Sequence, residues 1–186
     1  MKFAIAIVLS LFAAVASAQT PGPAKPMAQG FDRDEELAKV YDELKHAPRE
    51  QEARRAVGKL WTIWLMTPDE ASAELMNRAI RMTRYADYAT ALDHLSTIID
   101  QHPTYAEAWN QRAHVHFLRQ DWERSIADCE KVLELEPKHL GCLTGLAIIH
   151  IRQTKRFKAG RGVLERALAI SKFIPERRLM DELPVR

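Results

Sequence analysis

Seven histidines are the residues of this chain best suited to bind a metal ion, and His114 and His116 stand closest together. On a helix, residues two apart point roughly 200° apart around the axis, whereas metal-binding pairs such as those of H-E-x-x-H stand four apart on one face. His116 and His150 are separated by 34 residues, at positions that we expect to be buried. The spacing therefore predicts packed, hydrogen-bonded histidines, with no metal site and no cofactor.

Cys129 and Cys142 are the two thiols of the chain. An oxidising compartment would favour a disulfide between them. However, the pattern places Cys129 in the middle of one helix and Cys142 near the start of the next, antiparallel helix. An axial offset of about six residues at ~1.5 Å each, with ~9 Å between the axes, exceeds the ~7 Å Cα separation that a disulfide allows. We therefore predict two buried free thiols that lie far apart.

Other signatures of catalysis are missing from the sequence, which has no Gly-rich phosphate loop, no Walker motif, no G-x-S-x-G elbow and no paired-carboxylate motif. The aromatic residues follow helical stripes, as Trp61, Trp64 and Trp109 illustrate, and this periodicity is typical of core packing. The sequence therefore predicts a protein that is not an enzyme.

The elements that must position these residues recur every 34 residues. Ala79, Ala113 and Ala147 share this step, and so do Leu75, Trp109 and Leu143. Capping boxes at Thr67–Glu70 and Thr104–Glu107 mark the starts of two units, and the third unit has one extra residue in its turn. A fixed period of this size indicates a supersecondary unit copied along the chain, each copy packing against the next.

These positions resemble the tetratricopeptide repeat (TPR), whose pattern wants Trp, Leu, Gly, Tyr, Ala, Phe, Ala and Pro at fixed places. The second unit, 106–139, offers Trp109, Ala113, Ser125 and Pro137, among others. The resemblance implies an all-α fold, a TPR-type α-solenoid of three helix-turn-helix repeats at 72–105, 106–139 and 140–174. It also implies N-terminal capping helices or a degenerate repeat at 32–67 and a short C-terminal capping helix and tail at 175–186.

By the same resemblance, the first helix of each unit lines a concave groove that binds a protein or peptide partner. The groove residues that follow from this are Met76, Ile80, Arg84, Asn110, His114, Phe117, Ile148 and Arg152. Their mostly apolar character suits a partner helix or an apolar peptide. The alternative is that the leader or the last helix of this same chain fills the groove.

Charge divides the chain into an acidic body and a basic end. Residues 19–137 carry 15 basic and 21 acidic side chains, whereas 138–186 carry 11 basic and 4 acidic ones. A basic docking patch is predicted around the turn of the third repeat, at Arg152, Lys155, Arg156, Lys158 and Arg161. This end could dock an anionic envelope component or serve only as a solvated surface. The small overall charge of +2 gives no reason to expect a nucleic-acid partner.

Residues 1–18 have the pattern of a signal peptide, with Lys2, an apolar stretch and the small-x-small site Ala16–Ala18, followed by a flexible Pro- and Gly-containing leader at 19–31. We expect a periplasmic protein that does not span the membrane, similar to small periplasmic TPR proteins of Gram-negative bacteria. The resemblance implies a non-catalytic interaction adaptor or scaffold in cell-envelope assembly or maintenance. The alternative is an accessory or regulatory subunit of an envelope enzyme, such as a peptidoglycan hydrolase or a protease.

Overall fold

The computed structural model describes residues 22–184, so the predicted signal peptide lies outside the described residues. Helices account for most of this part of the chain, which confirms the predicted all-α, TPR-type solenoid. The α-helices are α1 (Arg33–Lys45), α2 (Glu50–Trp64), α3 (Glu70–Arg84), α4 (Tyr88–Gln101), α5 (Ala106–Leu118), α6 (Trp122–Leu135), α7 (Leu140–Ile148) and α8 (Phe157–Ile170). A π-helical turn (Ile149–Gln153) extends α7, and a 3₁₀ helix (Pro175–Glu182) follows α8.

Aspartate caps start several of the helices. The Asp69 carboxylate accepts a hydrogen bond from the Ser72 amide at 2.7 Å, and Asp87 and Asp121 play the same part in α4 and α6. The capping boxes predicted at Thr67 and Thr104 are wrong, because the N-cap positions are Asp69 and Tyr105. Thr67 lies instead in a short strand, which leaves the nearer aspartate to satisfy the first free amides of α3.

Three helix pairs, α3 with α4, α5 with α6 and α7 with α8, form the successive repeats. The turns inside these pairs use Ala86, Gln120 and Lys155 in the left-handed region, with φ of 60°, 61° and 56°. Ala79, Ala113 and Ala147 are all buried to 2% exposure or less, so each pair is closely packed where these small residues lie. The small side chains of the 34-residue pattern are thus core positions.

The α1–α2 hairpin packs over the second and third repeats. Its buried residues, including Leu44, Leu60 and Trp64, belong to the same core as residues of α5 and α7. The Tyr41 hydroxyl donates to the Lys138 carbonyl at 2.9 Å, and Arg33 forms an ion pair with Glu136. The hairpin therefore contacts the loop between α6 and α7, far from it in sequence.

Two-residue strands join the two ends of this hairpin. β1 (Lys25–Pro26) pairs in parallel with β2 (Met66–Thr67), and the Asn77 side chain on α3 bonds both the amide and the carbonyl of Ala24 at 2.9 Å. This pairing differs from the flexible leader predicted for 19–31. An apolar period cannot reveal it, because the contacts of Ala24 are made by backbone groups.

The extra residue of the third repeat is accommodated in the π-helical turn. The Thr154 amide bonds the Ile149 carbonyl, five residues back, at 2.9 Å. Beyond α8, the 3₁₀ helix packs against α7 and α8, with Leu179 and Leu183 buried. The C-terminal segment thereby covers the apolar end of the array.

Gly160 and Gly162 on α8 provide a matched test of this packing. A Cβ at Gly160 would lie 2.5 Å from Ile151 Cγ1 in the π-helical turn, whereas a Cβ at Gly162 would meet nothing within 4 Å. We expect Gly160→Ala to lower the free energy of unfolding by about 1–3 kcal/mol. Gly162→Ala should raise it by about 0.5–1 kcal/mol, because alanine favours the helix. Urea unfolding measures both, and equal effects would contradict the packing of α8 on the turn.

Candidate functional site

The predicted groove residues are divided between the interior and the surface. Met76, Asn110, Phe117 and Ile148 are buried, with Met76 completely inaccessible. Ile80, His114 and Arg152 are half-buried, and Arg84 is exposed. The structure therefore does not bring the eight residues together as one open surface.

The α1–α2 hairpin accounts for part of this burial. The Trp64 indole stacks on the His139 imidazole with ring centroids 4.0 Å apart, and the Tyr105 hydroxyl donates to the Trp64 carbonyl at 3.1 Å. His139 and Tyr105 are the N-cap residues of α7 and α5. The end of α2 thus covers the starts of the helices that were expected to line the groove.

Beneath Trp64 lies a buried polar cluster centred on Glu107. Its carboxylate accepts hydrogen bonds from the side-chain amides of Asn110 at 3.1 Å and Gln111 at 2.6 Å, and it lies 3.2 Å from His139 Nε2. Glu107 and His139 are completely inaccessible to solvent. These contacts fix the polar groups of α5 and α7 in the interior, so we assign the cluster to structure.

Neither His139 nor this role of Glu107 was predicted from the sequence, in which Glu107 was expected as part of a capping box. The signal available for His139 was its place after Pro137 and before an apolar helix, where a side chain can cap the helix. His139 Nδ1 indeed accepts from the Cys142 amide at 3.4 Å.

The predicted basic patch divides into two parts. Arg152 pairs with Glu182 of the 3₁₀ helix, with 3.0 Å between Arg152 Nε and Glu182 Oε2, and this hydrogen bond lowers the pKa of Glu182. Lys155, Arg156 and Lys158 are exposed around the start of α8. Arg152 therefore pairs with the C-terminal segment, Lys155, Arg156 and Lys158 face solvent, and Arg161, the fifth predicted residue, is half-buried.

The two cysteines are free and buried, as predicted, but the expectation that they lie far apart is wrong. Burial first, and then a hydrogen bond with Cys129, raise the pKa of Cys142 well above its usual range. Cys142 Sγ also lies 3.2 Å from Asn110 Oδ1. The start of α7 thus packs between α5 and α6. The predicted separation of the two cysteines assumed two antiparallel helices side by side and did not include this arrangement.

We expect both thiols to resist alkylation in the folded protein, because the reactive thiolate of Cys142 is suppressed and both side chains are buried. Iodoacetamide treatment followed by mass measurement should add no label under native conditions. It should add two labels in urea without reductant. Rapid labelling of the folded protein would contradict the packing of α7 between α5 and α6.

Within residues 22–184, no group of three or more His, Cys, Asp and Glu side chains has the arrangement of a metal site. The same residues contain no helix both long and apolar enough to cross a membrane.

The sequence is similar to known tetratricopeptide repeat proteins. The tetratricopeptide repeat model matches residues 106–139, which are the second repeat unit. A TPR repeat-containing protein of Rhizobium etli is 35% identical over 116 residues, covering 61% of this chain and 55% of that protein. Aryl-hydrocarbon-interacting protein-like 1 of Mus musculus is 34% identical over 80 residues, covering 42% of this chain and 24% of that protein.

The chain thus spans about half, or less, of the length of these relatives. Its helix pairs and these matches define it as a helical-repeat protein. The match of residues 106–139 and the similarity to a TPR repeat-containing protein support membership of the tetratricopeptide repeat family. The repeats suggest a role in protein–protein interaction.

Proposed function

We propose that this protein is an exported, non-catalytic adaptor that holds another polypeptide during cell-envelope assembly or maintenance. The observation that carries the proposal is a TPR array with an unpaired cationic surface at its third repeat. Lys155, Arg156 and Lys158 are exposed, and none of them forms an ion pair within residues 22–184. Unpaired surface cations attract an anionic partner and speed its approach.

We place the partner on this outer surface instead of in the concave groove. Displacing the α1–α2 hairpin would expose the side chains of Leu44, Leu60 and Trp64, each of which is at most 1% exposed in the folded protein. At about 1.5–3 kcal/mol for each side chain, three such residues alone cost about 5–9 kcal/mol. This is comparable with the whole stability of a typical domain, about 5–15 kcal/mol, so a partner would have to bind very tightly to open the groove.

Charge reversal tests the proposal. The tagged full chain is used to capture partners from crosslinked envelope fractions, over a range of salt concentrations. We expect Lys155→Glu with Arg156→Glu to reduce capture at low salt and to flatten its salt dependence, because screening then has less attraction to remove. The melting temperature should change little, since both side chains are exposed.

The matched control is Arg55→Glu with Arg81→Glu, which makes the same change of charge at exposed helical positions elsewhere. Capture equal to that of the wild type by the Lys155 and Arg156 variant would contradict docking at this surface. Periplasmic fractionation with N-terminal sequencing tests export, for which we expect a mature start at Gln19. A captured hydrolase or protease whose activity depends on this protein would instead favour the accessory-subunit function.

A further inference from the structure

An open cleft of about 590 Å³ lies between α6 and α8. Leu146 and His150 line it from α7 and its π-helical turn. Glu130 lines it from α6, and Lys158 and Gly162 from α8. This volume is in the range of pockets that hold small ligands or a short segment of peptide.

The corresponding position between α4 and α6 is closed by an arginine. Arg112 Nη1 donates to Ser96 Oγ on α4 at 3.2 Å, and its Nε and Nη2 donate to the Asp128 carboxylate on α6 at 2.9 and 2.8 Å. The guanidinium also lies 4.8 Å from the centre of the Trp109 ring. A side chain from the first helix of the repeat thus bridges the two outer helices.

One repeat later, every part of that bridge has changed. Arg112 corresponds to Leu146 and Ser96 to Glu130, each 34 residues on, and Asp128 corresponds to Val163 because of the extra residue in the turn. Leu146 has no group that can bond across the gap. The cleft therefore has Glu130 on α6, but Leu146 stands at the position of the bridging arginine.

The charged groups around the cleft define what would complement it. Glu134 is paired with Lys131 at 2.8 Å, and Arg166 donates to the Pro137 carbonyl at 3.0 Å. Glu130 and Lys158, on opposite walls, make no ion pair with any residue in 22–184. The carboxylate of Glu130 and the ammonium group of Lys158 can therefore both pair with charges on a partner.

His150 adds a polar group to the floor. Its side chain is buried to 7% exposure, and its Nδ1 has no hydrogen-bond partner in the part of the chain that the structure describes. It sits in the π-helical turn, and such turns occur frequently at functional sites. His116, its counterpart one repeat earlier, also has an Nδ1 without a hydrogen-bond partner among the described residues, but it has carboxylate oxygens of Asp121 and Asp128 at 3.9 Å.

We infer that this cleft binds a short segment of a partner protein in which a basic and an acidic side chain flank an apolar one. The basic side chain approaches Glu130, the apolar one lies on Leu146, and the acidic one faces Lys158. The inference rests on the proposed adaptor function, and it identifies the site at which the adaptor binds its partner. The segment supplies the cation that Arg112 provides between α4 and α6.

A capped tripeptide, acetyl-Arg-Leu-Glu-amide, is the probe. Titrated into the ¹⁵N-labelled full chain, it should shift the resonances of the His150 ring and of the Gly162 amide. We expect a neutral control, acetyl-Gln-Leu-Gln-amide, to bind about tenfold more weakly, because it lacks both charge-assisted contacts. Glu130→Gln should weaken the charged tripeptide by a similar factor and leave the neutral one unchanged.

Gly162→Leu should abolish these shifts by filling the cleft, and it should not unfold the protein, since a Cβ there meets nothing within 4 Å. Gly22→Leu is the matched control, because it too has open space and lies outside the cleft. No shift at His150 with about 10 mM peptide, or an equal shift in the Gly162→Leu protein, overturns the site. In either case, capture that depends on Lys155 and Arg156 would leave the adaptor function standing.

Discussion

Replacing Trp64 with alanine should lower the free energy of unfolding by about 3–5 kcal/mol, the range for truncation of a large buried aromatic side chain. Trp64 is 1% exposed, stacks on His139 and meets Trp61 edge to face at 5.3 Å between ring centres. Its removal leaves a cavity above the buried Glu107 cluster. Denaturant unfolding followed by circular dichroism measures the loss.

Tyr85 provides the control for Trp64, because it is a large aromatic residue that is 79% exposed. We expect Tyr85→Ala to change the free energy of unfolding by less than about 0.5 kcal/mol. If Trp64→Ala proved as mild as Tyr85→Ala, the hairpin would not be part of the core, and the concave groove would be open to a partner.

Acid should destabilise the protein through His114. Burial, only partly opposed by the charge of Glu107, lowers the pKa of His114 from 6.5 to about 4. Between these two pH values the imidazole of His114 is protonated in the unfolded chain and neutral in the folded one. The free energy of unfolding therefore decreases as the pH falls from 6.5 to 4. A shift of this size corresponds to about 3 kcal/mol once the window is crossed. Burial also lowers the pKa values of His116 and His150, which act in the same direction.

Comparing the wild type with His114→Gln isolates this effect. The free energy of unfolding, measured in urea at several pH values, should fall less steeply for the variant between pH 6.5 and 4. His46→Gln is the control for the substitution itself, because His46 is exposed. Parallel curves for the wild type and His114→Gln would show that His114 is protonated as easily in the folded protein as in the unfolded chain.

The repeats could be predicted from the sequence because each depends on contacts between nearby residues. Ala79, Ala113 and Ala147 recur at one spacing, and all three are buried where the two helices of a pair pack closely. The extra residue of the third unit is accommodated in the π-helical turn. Periodicity reports which face of a helix is apolar. It was therefore sufficient for the helix pairs and for the order of the units.

The position of the hairpin could not be predicted in the same way. The apolar stripe through Leu60 and Trp64 shows that α2 is buried against something, but it does not identify the surface. Some of the contacts that fix it are made to backbone atoms, such as the Lys138 carbonyl bonded by Tyr41, and these leave no mark in the pattern of residue types. The groove residues Met76 and Phe117 were expected at the surface, but Met76 packs in the core of the first repeat and Phe117 meets Trp122 of α6 edge to face at 5.3 Å between ring centres.

The cleft between α6 and α8 was not predicted, because it exists where no side chain bridges these two helices. The replacement of Arg112 by Leu146 one unit later is visible in the sequence, where it looks like a return to the usual residue of the repeat. Its effect becomes clear only once Ser96 and Asp128 are seen as the two ends of a bridge.

The contacts of the hairpin also determine when the chain can finish folding. Arg33 meets Glu136 across 103 residues, and Tyr41 meets Lys138 across 97. In arrays whose units touch only their neighbours, each unit can fold as soon as it is made. Here the α1–α2 hairpin cannot complete its contacts until the segment after α6 is available to it. The apolar stripes of α1 and α2 therefore stay uncovered until these long-range contacts form, and closing loops of about 100 residues becomes part of the last step of folding.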